Sequence, residues 1–463
     1  MEKEKILVLI QDEVKANFFI KLINMCKLIN PKIEYCYITV QPKVSRYLKR
    51  HGERNFTLQQ LIEMNKEIKV EIEKFEQFCL FEIKKNKKLK NKDLFKQVVE
   101  DYVSAYYFLF NKIFKPTKIL IWNGEEIHNR TLKYVAMQEG IKDIYFFENG
   151  FFPDTMVVDN RGVNFSSSLK GFNFLEVDVD VEKLFNFKEQ VQRIYLSKKD
   201  NPIFPNKVDK LDLIEVVYRG IDFVKKHLRL LSDSLYLESS PISLKENLLL
   251  RLEKAWYINK WEKIRNQEKK KFNIIKSKFK NYIFVPLQVP YDTQILINSD
   301  WIESMEELIN LCLDTVPLDV AIVFKTHPAA FGKFSYRRYE KIVKNHDRVL
   351  LTHTLNTYEL IKESSLVITI NSTVGLEAIL FDKDVIALGC AFWADNLAIP
   401  KVRSKEELKM CIFNFLEKRS NLEREMLKNK ILFKVVFEYL KFISFKNPSD
   451  QQLFRLANEL LNQ

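Results

Sequence analysis

Two carboxylates stand where chemistry would place them. Glu148 follows the apolar run IYFF and opens the segment FENGFFPDTMVVDNRGVN (147–164), and Asp292 follows FVPLQV in YIFVPLQVPYDTQIL. An acid at the end of a buried strand is held in a fixed place, where it can act as acid, base or nucleophile. Two of them on one sugar form the acid/nucleophile arrangement of glycosyl chemistry. An Asp before Thr-Gln is equally a helix N-cap, and the residues alone leave both readings open for Asp292. Behind Glu148, Asn149, Gly150, Asp154 and Asn164 crowd turn-forming residues into one loop of a chain with only 10 Gly and 13 Pro. The expectation is that Gly150 lets this loop pass close to a substrate and that Asp154 to Asn164 shape an acceptor side.

Cations and hydroxyls gather in the second half. VFKTHP puts Lys325 and His327 just past a strand, with Pro328 suited to a first helical position. Lysine and imidazole suit a phosphate or a carboxylate, although a structural turn also explains His-Pro. In ITINSTVGLEAIL a strand ends at Asn371, Ser372 and Thr373 follow, and a helix begins. A helix start favours an anion, while a plain cap by either hydroxyl is the alternative. Gly375 there permits a close approach by a ligand or a strand, Glu377 suits ribose hydroxyls, and Gln288 lies just past the preceding strand.

These residues need strands to hold them, and the pattern supplies strands. KILVLI, IEYCYITV, TKILIW and DIYFF in the first half, then YIFVP, VAIVFK, RVLLT, LVITI and DVIAL, are apolar runs separated by helical spacing. Such alternation predicts α/β units with parallel sheets. Apolar spacing from Leu58 to about Lys112 predicts long helices. The expected organisation is a Rossmann-like domain over 1–200, a helical connecting segment over 201–280, a second Rossmann-like domain over 281–445 and a terminal helix over 446–463. Two such domains facing across a cleft make the GT-B architecture, with candidate residues at strand carboxyl ends, where open sheets bind ligands.

Composition narrows the class. With 46% hydrophobic and 29% charged residues the chain reads as globular, and no apolar run reaches membrane-helix length. The MEKEKILVLIQDE start does not read as a secretory signal, and six scattered cysteines read as reduced thiols of a cytoplasmic protein. No cysteine or histidine spacing suggests a metal site. A net charge of +13 is concentrated in KKNKKLKNK (84–92) and across Lys254–Lys280. These runs suit an anionic membrane face or glycan, or simply a solvated helix face; no nucleic-acid module accompanies them.

In that order, ENGFFPDTMVVDNRGVN, FVPLQVPYDTQIL, KTHP and INSTVGLEAI resemble the capsule polysaccharide biosynthesis proteins of the KpsS type, β-Kdo transferases of Gram-negative bacteria. The likeness covers roughly 118–170 and 280–395. It implies a CMP-Kdo donor, a lyso-phosphatidylglycerol acceptor, retention of configuration and no catalytic metal or cofactor. It also implies that Asp292 is the nucleophile, Glu148 the acid/base, and Lys325, His327, Asn371, Ser372 and Thr373 the groups for the CMP phosphate and ribose. A peripheral place on the inner face of the inner membrane follows, beside other capsule biosynthesis or export proteins. The rival readings are a GT-B transferase for another nucleotide sugar, such as CMP-sialic acid, and a non-catalytic capsule assembly or export scaffold.

Overall fold

The computed structural model describes residues 4–85, 92–197, 244–332, 334–394, 396–417 and 421–462. The 201–243 part of the expected helical segment and most of the 84–92 basic run lie outside the described residues.

The apolar runs form strands. In the first unit β1 (Lys5–Ile10), β2 (Glu34–Thr39), β3 (Asn55–Thr57), β4 (Lys118–Trp122), β5 (Asp143–Asn149) and β6 (Met156–Asp159) make one sheet in the order β3-β2-β1-β4-β5-β6. All neighbours are parallel except β6, which runs antiparallel to β5. In the second unit β7 (Tyr282–Pro286), β8 (Ala321–Lys325), β9 (Val349–Thr352), β10 (Leu366–Thr369) and β11 (Val385–Ala387) make an all-parallel sheet, β11-β10-β7-β8-β9. Continuous apolar strands follow from burial on both faces, and β4, β7 and β8 are buried at every residue.

The units divide differently from the sequence expectation. The first holds residues up to Lys170 and takes back Tyr439–Gln463, and the second holds the described residues from Gly171 to Glu438. The terminal helix Asp450–Asn462 is therefore part of the first core. Its Leu453, Leu456, Ala457 and Leu460 pack with Ile6, Val8, Phe18 and Phe19. Ser449 caps that helix, accepting from Gln452 N at 3.2 Å. Tyr257, from the helix Leu244–Lys278, joins Ile283, Val285, Ile322 and Phe324 in the second core.

The stretch expected to form long helices from Leu58 to Lys112 is interrupted. Leu58–Met64 stops at Asn65, whose side chain accepts from Ile68 N (2.9 Å) and donates to Ile68 O (2.6 Å), a local turn that competes with the helix. Helix resumes at Glu76–Lys85, bent at Cys79, and Lys92–Phe108 follows.

Candidate active site

Both sheets share one order. Counted outward from β1 or from β7, the strands run 3-2-1-4-5, so chain direction across the sheet switches between β1 and β4 and again between β7 and β10. The crevice beyond the carboxyl ends at such a switch is where open α/β sheets bind ligands.

In the first unit Gln11 leaves β1 and bridges this point, donating from Nε2 to Trp122 O at 3.2 Å and to Glu126 Oε2 at 3.2 Å. The buried His128 lies 3.3 Å from the same nitrogen. None of Gln11, Glu126 and His128 was among the sequence candidates; the signal was NGEEIHN, where Asn-Gly reads only as a turn. Asn123 (φ 70°) and Gly124 (φ 104°) are left-handed there, and a Cβ on Gly124 would stand 2.6 Å from the Phe146 ring. That turn aims Asn123 Nδ2 at Glu148 Oε2 (3.0 Å), while Glu148 Oε1 accepts from Asn149 N (2.9 Å) and Nδ2 (3.3 Å). Two asparagines thus orient the Glu148 carboxylate.

The helix Ile127–Gln138 begins on a buried acid, with Ile127 N donating to Glu82 Oε1 at 2.9 Å. Burial pushes the Glu82 carboxyl up to about 7, against the hydrogen bond from Ile127 that favours its charge. Along the same helix, burial pulls the Lys133 ammonium below the usual lysine range, although Glu125 favours its charge.

The loop behind Glu148 is shaped from within. A Cβ on Gly150 would stand 2.0 Å from Thr155 Oγ1, so this glycine makes room for its own loop and not for a substrate. Asp154 (φ 53°) occupies the exposed tip, and Asn164 (φ 52°) opens a single 3-10 turn. The organiser is Asp159, a buried acid within the stretch from Asp154 to Asn164. Its carboxylate accepts from Arg161 N (2.7 Å), Gly162 N (3.3 Å), Ser168 N (2.8 Å) and Ser168 Oγ (2.7 Å).

In the second unit the switch point is bridged by two candidates. Gln288 Nε2 donates to Asn371 Oδ1 (3.0 Å) and Gln288 Oε1 accepts from Asn371 N (3.3 Å). Asn371 Nδ2 donates to Gln294 O (2.7 Å) and Asn298 O (3.1 Å). Both amides are buried and serve to position the loops rather than to face solvent. Asp292 caps Thr293–Leu296, its Oδ1 accepting from Gln294 N (3.0 Å) and Thr293 Oγ1 (3.2 Å). Its Oδ2 has no hydrogen bond among the described residues. The preceding Tyr291 sits at φ 62°, unusual for a bulky side chain.

Lys325 ends β8 largely buried, with Nζ 3.5 Å from His353 O. His327 is exposed and caps the turn Pro328–Ala330, accepting at Nδ1 from Ala329 N (3.0 Å). That bond leaves the proton of a neutral ring on Nε2. Ser372 Oγ accepts from Val374 N (3.3 Å), and Thr373 is exposed at the start of Val374–Leu380. Gly375 takes up the Trp393 indole instead of a ligand: a Cβ would meet Cη2 at 2.4 Å. Glu377 turns to tyrosines, with Tyr358 OH 3.5 Å from Oε1 and Tyr195 stacked on Tyr358 at 3.8 Å. Burial, then the Glu377 charge, raises both phenols above the usual range.

Left-handed residues other than glycine fall mostly in these loops: Asn123, Asp154, Asn164 and Tyr291, with Asp382 elsewhere. Asn and Asp tolerate that conformation, so Tyr291, beside Asp292, is the position where strain concentrates. Each unit therefore offers an oriented carboxylate at strand carboxyl ends, and the second adds a lysine and an imidazole. Among the described residues no group of three His, Cys, Asp or Glu side chains could hold a metal ion.

The chain is 35% identical over 114 residues to protein FixF of Sinorhizobium fredii, covering 23% of this chain and 26% of that protein. It is 31% identical over 120 residues to the capsule polysaccharide export protein KpsS of Escherichia coli, covering 24% and 31%. The chain spans less than a third of the length of these curated relatives. Among solved structures, the beta Kdo 2,7 transferase of Thermosulfurimonas dismutans KpsC aligns over 99% of this chain and 100% of that one, at 14% identity and a TM-score of 0.42. The model of the family described as capsule polysaccharide biosynthesis proteins matches residues 117–396, from the start of β4 through both sets of strand-end residues. With more than half of its length matched, the chain belongs to the capsule polysaccharide biosynthesis protein family.

Proposed function

We propose that this chain is a capsule glycosyltransferase that moves β-Kdo from CMP-Kdo to a (lyso)phosphatidylglycerol acceptor with retention of configuration. The observation that carries the reading is Asp292. Its Oδ1 is held by the helix cap while Oδ2 is left for chemistry, two residues from a loop carbonyl bonded to the switch-point amide of Asn371. The family assignment favours capsule chemistry, and the motif resemblance favours the donor.

In this mechanism Asp292 Oδ2 attacks the anomeric carbon, an ester bond forms with inversion, and CMP departs with the bonding electrons. Lys325, the His327 Nε2–H and the Ser372 and Thr373 hydroxyls receive the phosphate and ribose. Glu148, oriented by Asn123 and Asn149, takes the acceptor hydroxyl proton as that oxygen displaces the aspartyl ester with a second inversion. The reading requires both carboxylates to reach one sugar during turnover. The basic helix Leu244–Lys278 would suit an enzyme working at an anionic cytoplasmic membrane face. None of the described helices is long and apolar enough to cross a membrane.

The test is mass spectrometry of products from CMP-Kdo and a fluorescent lyso-phosphatidylglycerol. One added Kdo with wild type, absent with Asp292→Ala and Glu148→Gln, is the expected result. CMP-Kdo binding without transfer would overturn the acceptor. Failure to bind CMP-Kdo would overturn the donor and favour another nucleotide sugar or a scaffold.

A further inference from the structure

The first unit holds an open pocket of about 440 Å³, within the roughly 300–1,000 Å³ typical of small-ligand sites. It opens beside the Asn123-Gly124 turn, with the buried Phe146 ring packed beneath Gly124. Phe78 and Tyr134, packed edge to face at 5.1 Å, supply an aromatic wall.

Three cations line this space, and their partners differ. Arg130 is engaged by Glu125 through an ion pair and through Glu125 O (2.8 Å), and the other Glu125 oxygen accepts from Ser166 Oγ (3.0 Å). Lys133 is not neutralised in this way. Its ammonium lies over the Phe146 ring at 4.8 Å and donates to Arg161 O (2.7 Å), with no carboxylate within 4.0 Å among the described residues. The same holds for the Arg161 guanidinium. The nearby Asp159 carboxylate is engaged by four donors of its own loop. Two positive charges without ion-pair partners therefore meet at a half-enclosed surface beside Tyr134, which favours a small ligand that carries an oxyanion.

The pocket is linked to the candidate base through one of its lining residues. Asn123 lines it and donates to Glu148 Oε2 at 3.0 Å, so a ligand seated there lies one residue away from that carboxylate. We propose that this pocket is the acceptor subsite: Lys133 and Arg161 hold the acceptor's phosphate or carboxylate, Tyr134 lies along its carbon skeleton, and a neighbouring hydroxyl is presented to Glu148. The inference rests on the transferase reading and adds recognition residues that reading does not name.

Calorimetric titration of the full chain with glycerol 1-phosphate, free Kdo and neutral glycerol tests it. At least one anionic probe binds at millimolar concentration and glycerol does not. Lys133→Gln and Arg161→Gln each weaken that binding by about tenfold at an unchanged melting temperature, and Lys133→Arg restores it. Preference for glycerol 1-phosphate assigns the oxyanion to a lipid headgroup, and preference for Kdo assigns it to an acidic sugar end. Equal binding by wild type and both Gln variants, or no binding of either anion, overturns the subsite. In the transfer assay the Gln variants raise acceptor KM with kcat and CMP affinity retained. Transfer with an unmoved acceptor KM overturns the subsite while the transferase reading stands. Charge-dependent anion binding with neither transfer nor CMP-Kdo binding overturns the CMP-Kdo transferase reading, together with the acceptor role, and leaves the anion site standing.

Discussion

Gln288 and Asn371, 83 residues apart, face each other across the β7/β10 switch point and exchange two hydrogen bonds, 3.0 Å side chain to side chain and 3.3 Å from the Asn371 backbone. The Asn371 amide also ties the carbonyls of Gln294 and Asn298. One buried amide thus fixes both the loop that carries Asp292 and the start of Val374–Leu380. Asn371→Ala leaves the Gln288 amide and two carbonyls without this partner. We expect a loss of about 2–4 kcal/mol in urea unfolding with an unchanged m-value, and weaker CMP binding. An unaltered midpoint would show that the pair does not organise the site.

Asp292 is assigned two jobs that substitution can separate. Asparagine caps helices about as well as aspartate but cannot serve as the nucleophile. Asp292→Asn should keep stability within about 0.5 kcal/mol and lower turnover on the order of 10³-fold or more, whereas Asp292→Ala should also lose about 1 kcal/mol. Turnover retained by the Asn variant would leave Asp292 a cap only.

Glu82 should make the first unit sensitive to pH. Its carboxyl is pushed up by burial from an ordinary 4.5 to about 7, so the folded chain holds a proton that the unfolded chain releases. Stability from this group is fully present below pH 4.5 and falls as pH rises towards 7, by about 3 kcal/mol in all. Glu82→Gln keeps an oxygen for Ile127 N. It should raise the melting temperature at pH 8 and change it little at pH 5; an equal gain at both would remove the titration argument.

Gly375 is held by packing. Alanine is the better helix former by about 1 kcal/mol, yet its Cβ would stand 2.4 Å from Trp393 Cη2 in a fully buried position. Gly375→Ala should therefore destabilise by about 1–3 kcal/mol. Trp393→Phe should recover part of that loss in a double-mutant cycle; additive effects would place the strain elsewhere.

Much of the architecture was legible in the sequence because it depends on local pattern. Unbroken apolar runs such as KILVLI and AIVFK are what a strand buried on both faces requires, and the residues just past them necessarily lie at the strands' carboxyl ends. Asp292 as a cap and Pro328 as the first residue of its turn were readable from neighbours one to three positions away. The local turn at Asn65, by contrast, broke the long helices that periodicity suggested.

What the tertiary structure alone decided is which distant groups meet. Strand order puts β7 beside β10 although β8 and β9 intervene in the chain, and only that order joins Gln288 to Asn371. It also sets Gln11 beside Glu126 and His128, more than 110 residues away. Glycine shows the same division. Sequence marks Gly150 and Gly375 as places of close approach, but Thr155 and Trp393 fill that space. The amino acids determined which groups can bond and which positions need room; the order of the strands determined with whom, because hydrogen bonds and packing act over a few ångströms whatever the distance along the chain.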